Sequence, residues 1–318
     1  MGKLTLLITG AAGYVGRHTV AAARMHGHAV IAVMRDSSDL PEGWIEDPGI
    51  TVIAGDLTHC PALPEACARA DVVLHLAASL SGEAERQARD TLQATEALLA
   101  ALPEGAKLVH LSSMAVYDMT RADTGEMISE SFPLLAPDSP ADAYATAKAA
   151  QERMVTEAAK ARDLRLITLR AGAIFGPDRL WNAHLGIAVG PVLLRLAGLG
   201  QIPLCHVSTC TAALIHAAER RATGPINLLD EDLPTRQRYL ANLEGKPPVV
   251  LPLNWRWLMP LARCAAAIVP RDRLPGLMRP EVLRARFLPV SYDNSRMREA
   301  LGLRQAQSFE ALMHEAQS

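Results

Sequence analysis

The 318-residue sequence predicts an α/β fold, a doubly wound parallel sheet with a smaller lobe attached, and three observations carry that expectation. Short apolar runs alternate with amphipathic segments through the first half of the chain. These strand-like runs are mostly apolar, as in a parallel sheet covered on both faces by its crossover helices. Apolar residues make up 49% of the chain, enough for one large domain and an appendage.

The elements follow in order. "LTLLITG" is a β-rich run ending at Gly10, and residues 13–28 have helical periodicity with a stop at Gly27. Further strands read at 29–34, 50–57, 70–78 and 106–113, with an Ala/Leu/Glu helix over 84–101 before the last of them. The helix carrying "DAYATAKAAQ" (142–151) runs to about residue 161 and leads into a single strand, "RLITLRAGAIFG". After Gly176 the pattern loosens, and a Pro-rich stretch fills 247–280.

Composition removes several function classes. Formal charge is −2 with no block of Lys or Arg, so nothing offers nucleic acid an electrostatic footprint. The five cysteines are odd in number and lack a C-x-x-C, which fits small buried thiols in a reducing compartment and no zinc site. The chain opens on what reads as a core strand, so a cytoplasmic location is expected. Residues 249–269 are long enough to span a bilayer. Arg256 and Arg263 inside them each cost about 2.5–3.5 kcal/mol on insertion, and Pro252 and Pro260 interrupt them. A partly buried helix walling a pocket is the better expectation, with peripheral membrane contact left open.

"TGAAGYVG" places Gly10, Gly13 and Gly16 directly after the first strand and at the opening of a helix. There Gly10 makes the tight turn, Gly13 admits a pyrophosphate to the backbone, and Gly16 lets helix and sheet pack closely. The helix N-terminus, with Tyr14 and Val15 in its first turn, then offers free N–H groups and a positive dipole end to phosphates. Residues 1–177 are therefore expected to form a Rossmann-type dinucleotide-binding domain, with 202–230 returning to it. Residues 178–201 and 231–318 would form the substrate lobe.

Tyr144 stands four residues before Lys148, a spacing that means little without context. With the G-x-x-G-x-x-G loop, the pair resembles the extended branch of the short-chain dehydrogenase/reductase superfamily, nearer its 3β-hydroxysteroid dehydrogenase and dihydroflavonol reductase-like members than its sugar-nucleotide epimerases. The resemblance runs through "GDL" (55–57), "HLAA" (75–78), "SSMAVY" (112–117), "YATAK" (144–148), "LRAGAIFGP" (169–177) and "YDNSRMREALGL" (292–303). It implies hydride transfer at a carbonyl or carbinol carbon, with Ser113, Tyr144 and Lys148 as the catalytic residues and Ser112 as the competitor of Ser113. It further implies that Asp56, Leu57, Ala77, Ala78, Ala171 and Ile174 line the cofactor, that Lys148 also holds its ribose, and that the protein is a homodimer. A free Tyr has a pKa near 10, and a neighbouring ammonium and an oxidised nicotinamide would favour its phenolate.

Two departures matter. Family dehydratases carry an Asp-Glu pair after the Ser or Thr, whereas Met114 and Ala115 follow Ser113, which argues against elimination. An Asn common in the preceding helix is replaced by Thr91.

NAD enzymes place a carboxylate at the end of the second strand. Here Met34 and Arg35 stand there, with Ser37 and Ser38 close by, an arrangement suited to a 2′-phosphate. Asp36 could instead accept from a ribose, so NADP is favoured and NAD kept as the alternative. Sugar-nucleotide members carry an Arg where Ile202 stands, and the segments expected to form the pocket are mostly apolar. A largely apolar ketone or secondary alcohol is the expected substrate. Ser79, Met114, Trp181, His184, Trp255 and Trp257 are candidate contacts, and no metal is implied. A nucleotide-sugar 4-epimerase and a non-catalytic nucleotide sensor are the alternatives.

Overall fold

A strand flanked by parallel neighbours is shielded above and below by crossover helices, so its side chains can be apolar on both faces. The first strand, β1 (Thr5–Thr9), shows this directly: Leu6 and Ile8 enter one core and Leu7 the other. The computed structural model describes the chain except residues 1, 37–39, 79–83, 140, 197–198, 246–248, 271–273, 275 and 305–306.

After β1 come α1 (Tyr14–Met25), β2 (Ala29–Met34), β3 (Ile50–Ala54), α2 (Leu63–Arg69), β4 (Val72–His75), α3 (Ala84–Ala101) and β5 (Lys107–Ser113). The short β6 (Met127–Ile128) precedes α4 (Ala143–Ala161), β7 (Arg165–Ala171) and β8 (Ala173–Phe175). Next are β9 (Ile187–Val189), β10 (Val192–Arg195), β11 (Leu204–His206), α5 (Val207–Glu219), β12 (Gly224–Leu228), α6 (Arg236–Asn242) and β13 (Val249–Pro252). The chain closes with α7 (Trp255–Ile268), α8 (Pro280–Phe287), β14 (Ser291–Tyr292), α9 (Ser295–Leu301) and α10 (Phe309–Gln317).

Among the described residues, seven strands form one parallel sheet in the order β12-β7-β5-β4-β1-β2-β3. The order reverses between β1 and β4, and that switch point opens the crevice where α/β sheets bind ligands. Helices α1, α5 and α9 cover one face through Val20, Leu214 and Met297, and α2, α3 and α4 the other through Leu63, Leu98 and Val155. This is the doubly wound Rossmann-type fold the sequence predicts.

Three features differ from expectation. The strand read through 165–176 divides at Gly172, and its second part, β8, leaves the main sheet to pair with β11. A Cβ at Gly172 would lie 2.5 Å from the Pro203 carbonyl oxygen, so only glycine admits this approach. Residues 249–269 do not line the cavity at the carboxyl ends of the central strands. They form β13, which joins β10 and β9 in a small sheet, and α7 on the outside, with Trp255 and Ala262 the helix's buried residues. Asn254 caps α7 by accepting from the Arg256 N–H, and Pro260 sits inside the helix instead of ending it. No described helix is long and apolar enough to cross a membrane. Cys67, Cys205 and Cys210 are buried, but Cys60 is half-buried and Cys264 exposed, so the thiols are not uniformly core residues.

Candidate active site

The carboxyl ends of the central strands surround a cavity of about 770 Å³. At one end α1 begins at Gly13, which has no side chain to cap the helix, and its first turn carries no acidic residue. The N–H groups that a helix leaves unpaired there, in Tyr14, Val15 and Gly16, belong to residues lining the cavity. Gly10 holds φ at +69°, and a Cβ there would sit 3.0 Å from Ala77 Cα. A Cβ at Gly16 would lie 2.1 Å from the Gly10 carbonyl oxygen. The uncapped, close-packed glycine turn fits a dinucleotide pyrophosphate.

Beyond that turn, Arg35 and Asp36 follow β2 and line the cavity with Asp56 and Leu57. Asp56 caps the short turn Leu57–His59, its Oδ1 accepting from the Thr58 N–H at 2.9 Å and hydroxyl at 2.6 Å. These bonds hold its carboxyl below the usual range, with a smaller contribution from Arg35. Ala77, Ala78, Ala171 and Ile174 line the walls. Ser37 and Ser79 lie outside the described residues.

At the other end β5 terminates at Ser113, which caps the turn Met114–Val116 by accepting from the Ala115 N–H at 3.2 Å. The Ser113 side chain also favours the ionised form of the Tyr144 phenol. Ser112 is buried and donates to Glu152 at 2.6 Å, so Ser113 is the serine that meets Tyr144. Asp142 caps α4 through the Ala145 N–H, which puts Tyr144 in the first turn and Lys148 one turn further on.

Tyr144 is 40% exposed and lines the cavity, yet desolvation pushes its phenol above the ordinary value, with the neighbouring Ser113 side chain opposing. That is the reverse of the lowered pKa expected from a nearby ammonium. The reason is where the Lys148 ammonium points: it donates to the Leu111 carbonyl at 2.8 Å and to Gln151 Oε1 at 2.7 Å. Burial brings Lys148 down to about 8, with Glu152 opposing.

Gln151 was not among the residues singled out by sequence, and it anchors a buried chain. With its oxygen taken by Lys148, its amide nitrogen donates to Thr95 Oγ1 at 2.8 Å, and the Thr95 hydroxyl donates to the Thr91 carbonyl at 2.7 Å. His75 bridges Thr9 and Thr95 at 2.8 and 3.0 Å, and desolvation brings it down to about 3, so it is neutral. One proton arrangement satisfies the chain: Thr9 donates to His75 Nδ1, and Nε2–H donates to Thr95.

Glu152, the next residue, faces the sheet. It accepts from Arg170 Nη2 at 2.6 Å, and Arg170 reaches on to the Tyr117 hydroxyl and the Glu130 carbonyl, both at 3.0 Å. This buried network clamps α4 to β7 and thereby fixes the helix that presents Tyr144 and Lys148.

Met114, Trp181 and His184 line the cavity, as expected, together with Asn182, Val282, Ala285 and Arg286. His184 is held neutral, brought to about 3 by burial and then by Arg236 and Arg286. Arg236 is buried behind it, donating to the His184 carbonyl at 2.8 Å and the Arg286 carbonyl at 2.5 Å. Trp255 and Trp257 do not line the cavity: the first is packed in the core formed with Leu283 and Phe287, and the second is on the surface.

The model of the NAD-dependent epimerase/dehydratase family matches residues 6–228. The chain belongs to that family. Among its relatives, 3-diazoavenalumate denitrifying reductase of a Streptomyces species is 31% identical over 270 residues, 78% of this chain and 84% of the relative. The 4-hydroxy-2-methyl-3-oxo-4-farnesyl-3,4-dihydroquinoline-1-oxide ketoreductase of Stigmatella aurantiaca is 28% identical over 306 residues, 91% of this chain and 89% of the relative. Among solved structures, UDP-glucuronic acid 4-epimerase from Bacillus cereus in complex with NAD superposes with a TM-score of 0.71 at 16% identity, covering 98% of this chain and 97% of that one. The epimerase/dehydratase fold thus extends over nearly the whole chain, and the protein is an NAD(P)-dependent oxidoreductase of the extended short-chain dehydrogenase/reductase kind.

Proposed function

We propose that this protein is an NADP(H)-dependent ketoreductase, interconverting a ketone and a secondary alcohol on a largely apolar small molecule. The observation that carries the reading is that Ser113, Tyr144 and Lys148 line one cavity with the glycine turn and with the apolar side chains of Met114, Trp181, Val282 and Ala285.

A bound reduced nicotinamide supplies the hydride. Tyr144 donates a proton to the substrate oxygen as negative charge develops there, and Ser113 donates a hydrogen bond to the same oxygen. A phenol raised above its ordinary value is fully protonated near neutrality, which suits it as the acid of a reduction. Lys148, with two N–H groups fixed by Leu111 and Gln151, keeps its third for a ribose hydroxyl. Glycine-turn N–H groups hold the pyrophosphate, and Arg35 pairs with a 2′-phosphate. Met114, Trp181, Val282 and Ala285 receive the substrate's apolar body.

The epimerase reading draws on Arg179 and Arg286, two guanidinium side chains in the lining. Against it, the position where sugar-nucleotide members carry an Arg is Ile202, fully buried among Leu185, Leu204 and Tyr239.

Titration with NADPH and NADH, followed by fluorescence of the reduced nicotinamide, tests the cofactor assignment. NADPH is expected to bind at least about tenfold tighter, about 1.4 kcal/mol, and Arg35→Ala is expected to remove that margin. Equal or tighter NADH binding by the parent would overturn it.

A further inference from the structure

We infer that the outer face of α7 is a docking surface for an anionic lipid bilayer. Trp257, Leu261, Cys264 and Ile268 recur at helical spacing and form one stripe, and the stripe points outward: Trp257 is 75%, Leu261 58% and Ile268 82% exposed. A surface helix of a water-soluble domain ordinarily turns its apolar stripe to the core. Here the core is served by a different face, carrying Trp255 and Ala262, so the stripe is surplus to folding.

Charge complementarity commits the surface to lipid. Arg256 and Arg263, seven residues apart on one line of the helix, are also exposed, and no acidic residue occurs in the sequence from 245 to 271. An apolar stripe bearing Trp, flanked by cations and free of carboxylates, matches a helix lying in the headgroup boundary: Trp at the interface, aliphatic side chains below it, Arg reaching back to phosphates. At 14 residues the helix lies on the bilayer and does not cross it.

The position ties this surface to the cavity. The buried face of α7 packs on α8 through Trp255, Ala262, Leu283 and Phe287, and Val282 and Ala285 of α8 line the cavity. A docked protein would hold its substrate lobe at the membrane, the place where an apolar ketone concentrates. The docking itself does not depend on the chemistry proposed above, so the two fail separately.

Co-sedimentation of the full chain with phosphatidylcholine vesicles, with and without about 30 mol % phosphatidylglycerol, tests the inference. The protein is expected to pellet with the anionic vesicles and largely to remain in the supernatant with neutral ones. Trp257→Glu is expected to lower the partition coefficient at least about tenfold, and Arg256→Gln with Arg263→Gln by about 30-fold on anionic vesicles only. Ile268→Gln, at a more exposed position, is the second variant. None of these residues lines the cavity, so turnover of a water-soluble ketone and the unfolding midpoint should match the parent. Failure of the parent to pellet with anionic vesicles, or pelleting of Trp257→Glu like the parent, would refute the inference. So would a parent dimer that Trp257→Glu converts to monomer, which would assign the stripe to a second copy of this chain.

Discussion

Tyr144→Phe is expected to lower turnover by about 10²–10⁴-fold while leaving NADPH affinity within twofold or so of the parent. Only the hydroxyl is removed. The ring keeps its place in the first turn of α4, and the glycine turn at 10–16 lies at the other end of the cavity. Because the proton is needed in the transition state and not for binding, the loss should fall on kcat and kcat/KM alike. Steady-state kinetics beside a fluorescence titration would separate the two effects. A variant that turned over like the parent would remove Tyr144 from the mechanism. A variant that lost cofactor binding in step with turnover would make its role structural.

The second large effect is on stability. Glu152→Leu strands Arg170, whose buried guanidinium now has two bonds to Glu152 Oε1, at 2.6 and 3.0 Å. Removing one partner of a buried pair leaves a desolvated charge and typically costs about 3–5 kcal/mol. Ser112 loses its acceptor in the same step. The urea midpoint of Glu152→Leu should fall accordingly, and adding Arg170→Met should recover much of the loss, since replacing both charges removes the stranded one. A single variant within about 1 kcal/mol of the parent would mean that the pair does not hold α4 in place.

Much of this site was legible in the sequence because its parts obey backbone geometry. The glycines of 10–16 are required where a strand turns into a helix within contact distance of Ala77, and that constraint shows as spacing. Tyr144 and Lys148 share a helix, so their separation in sequence fixes their separation in space. Each described residue that the sequence nominated as catalytic or cofactor-binding lines the cavity, as do Met114, Trp181 and His184, whereas Trp255 and Trp257 do not. Gln151 was not legible, because its partners beyond its own helix come from β4 and α3, far away in sequence. Arg236 and Arg286 escaped for the same reason: the Arg236 side chain, in α6, joins the carbonyls of His184 and Arg286, and no periodicity links residues 184, 236 and 286. The misplacement of 249–269 has another cause. Apolar content predicts burial, and α7 spends its apolar residues on two faces, one packed on α8 and one turned outward.

The most direct measurement of the central claim is the fate of a labelled hydride. NADPH deuterated at the nicotinamide C4, on either face in turn, would be incubated with the enzyme and a panel of apolar ketones, and the product alcohols analysed by mass spectrometry. The account predicts deuterium on the carbinol carbon from one face only, with NADPH consumed in equal amount and Tyr144→Phe inactive. A sugar nucleotide inverted at one carbon without net consumption of cofactor, while the ketones remain unreduced, would contradict it and make the protein an epimerase.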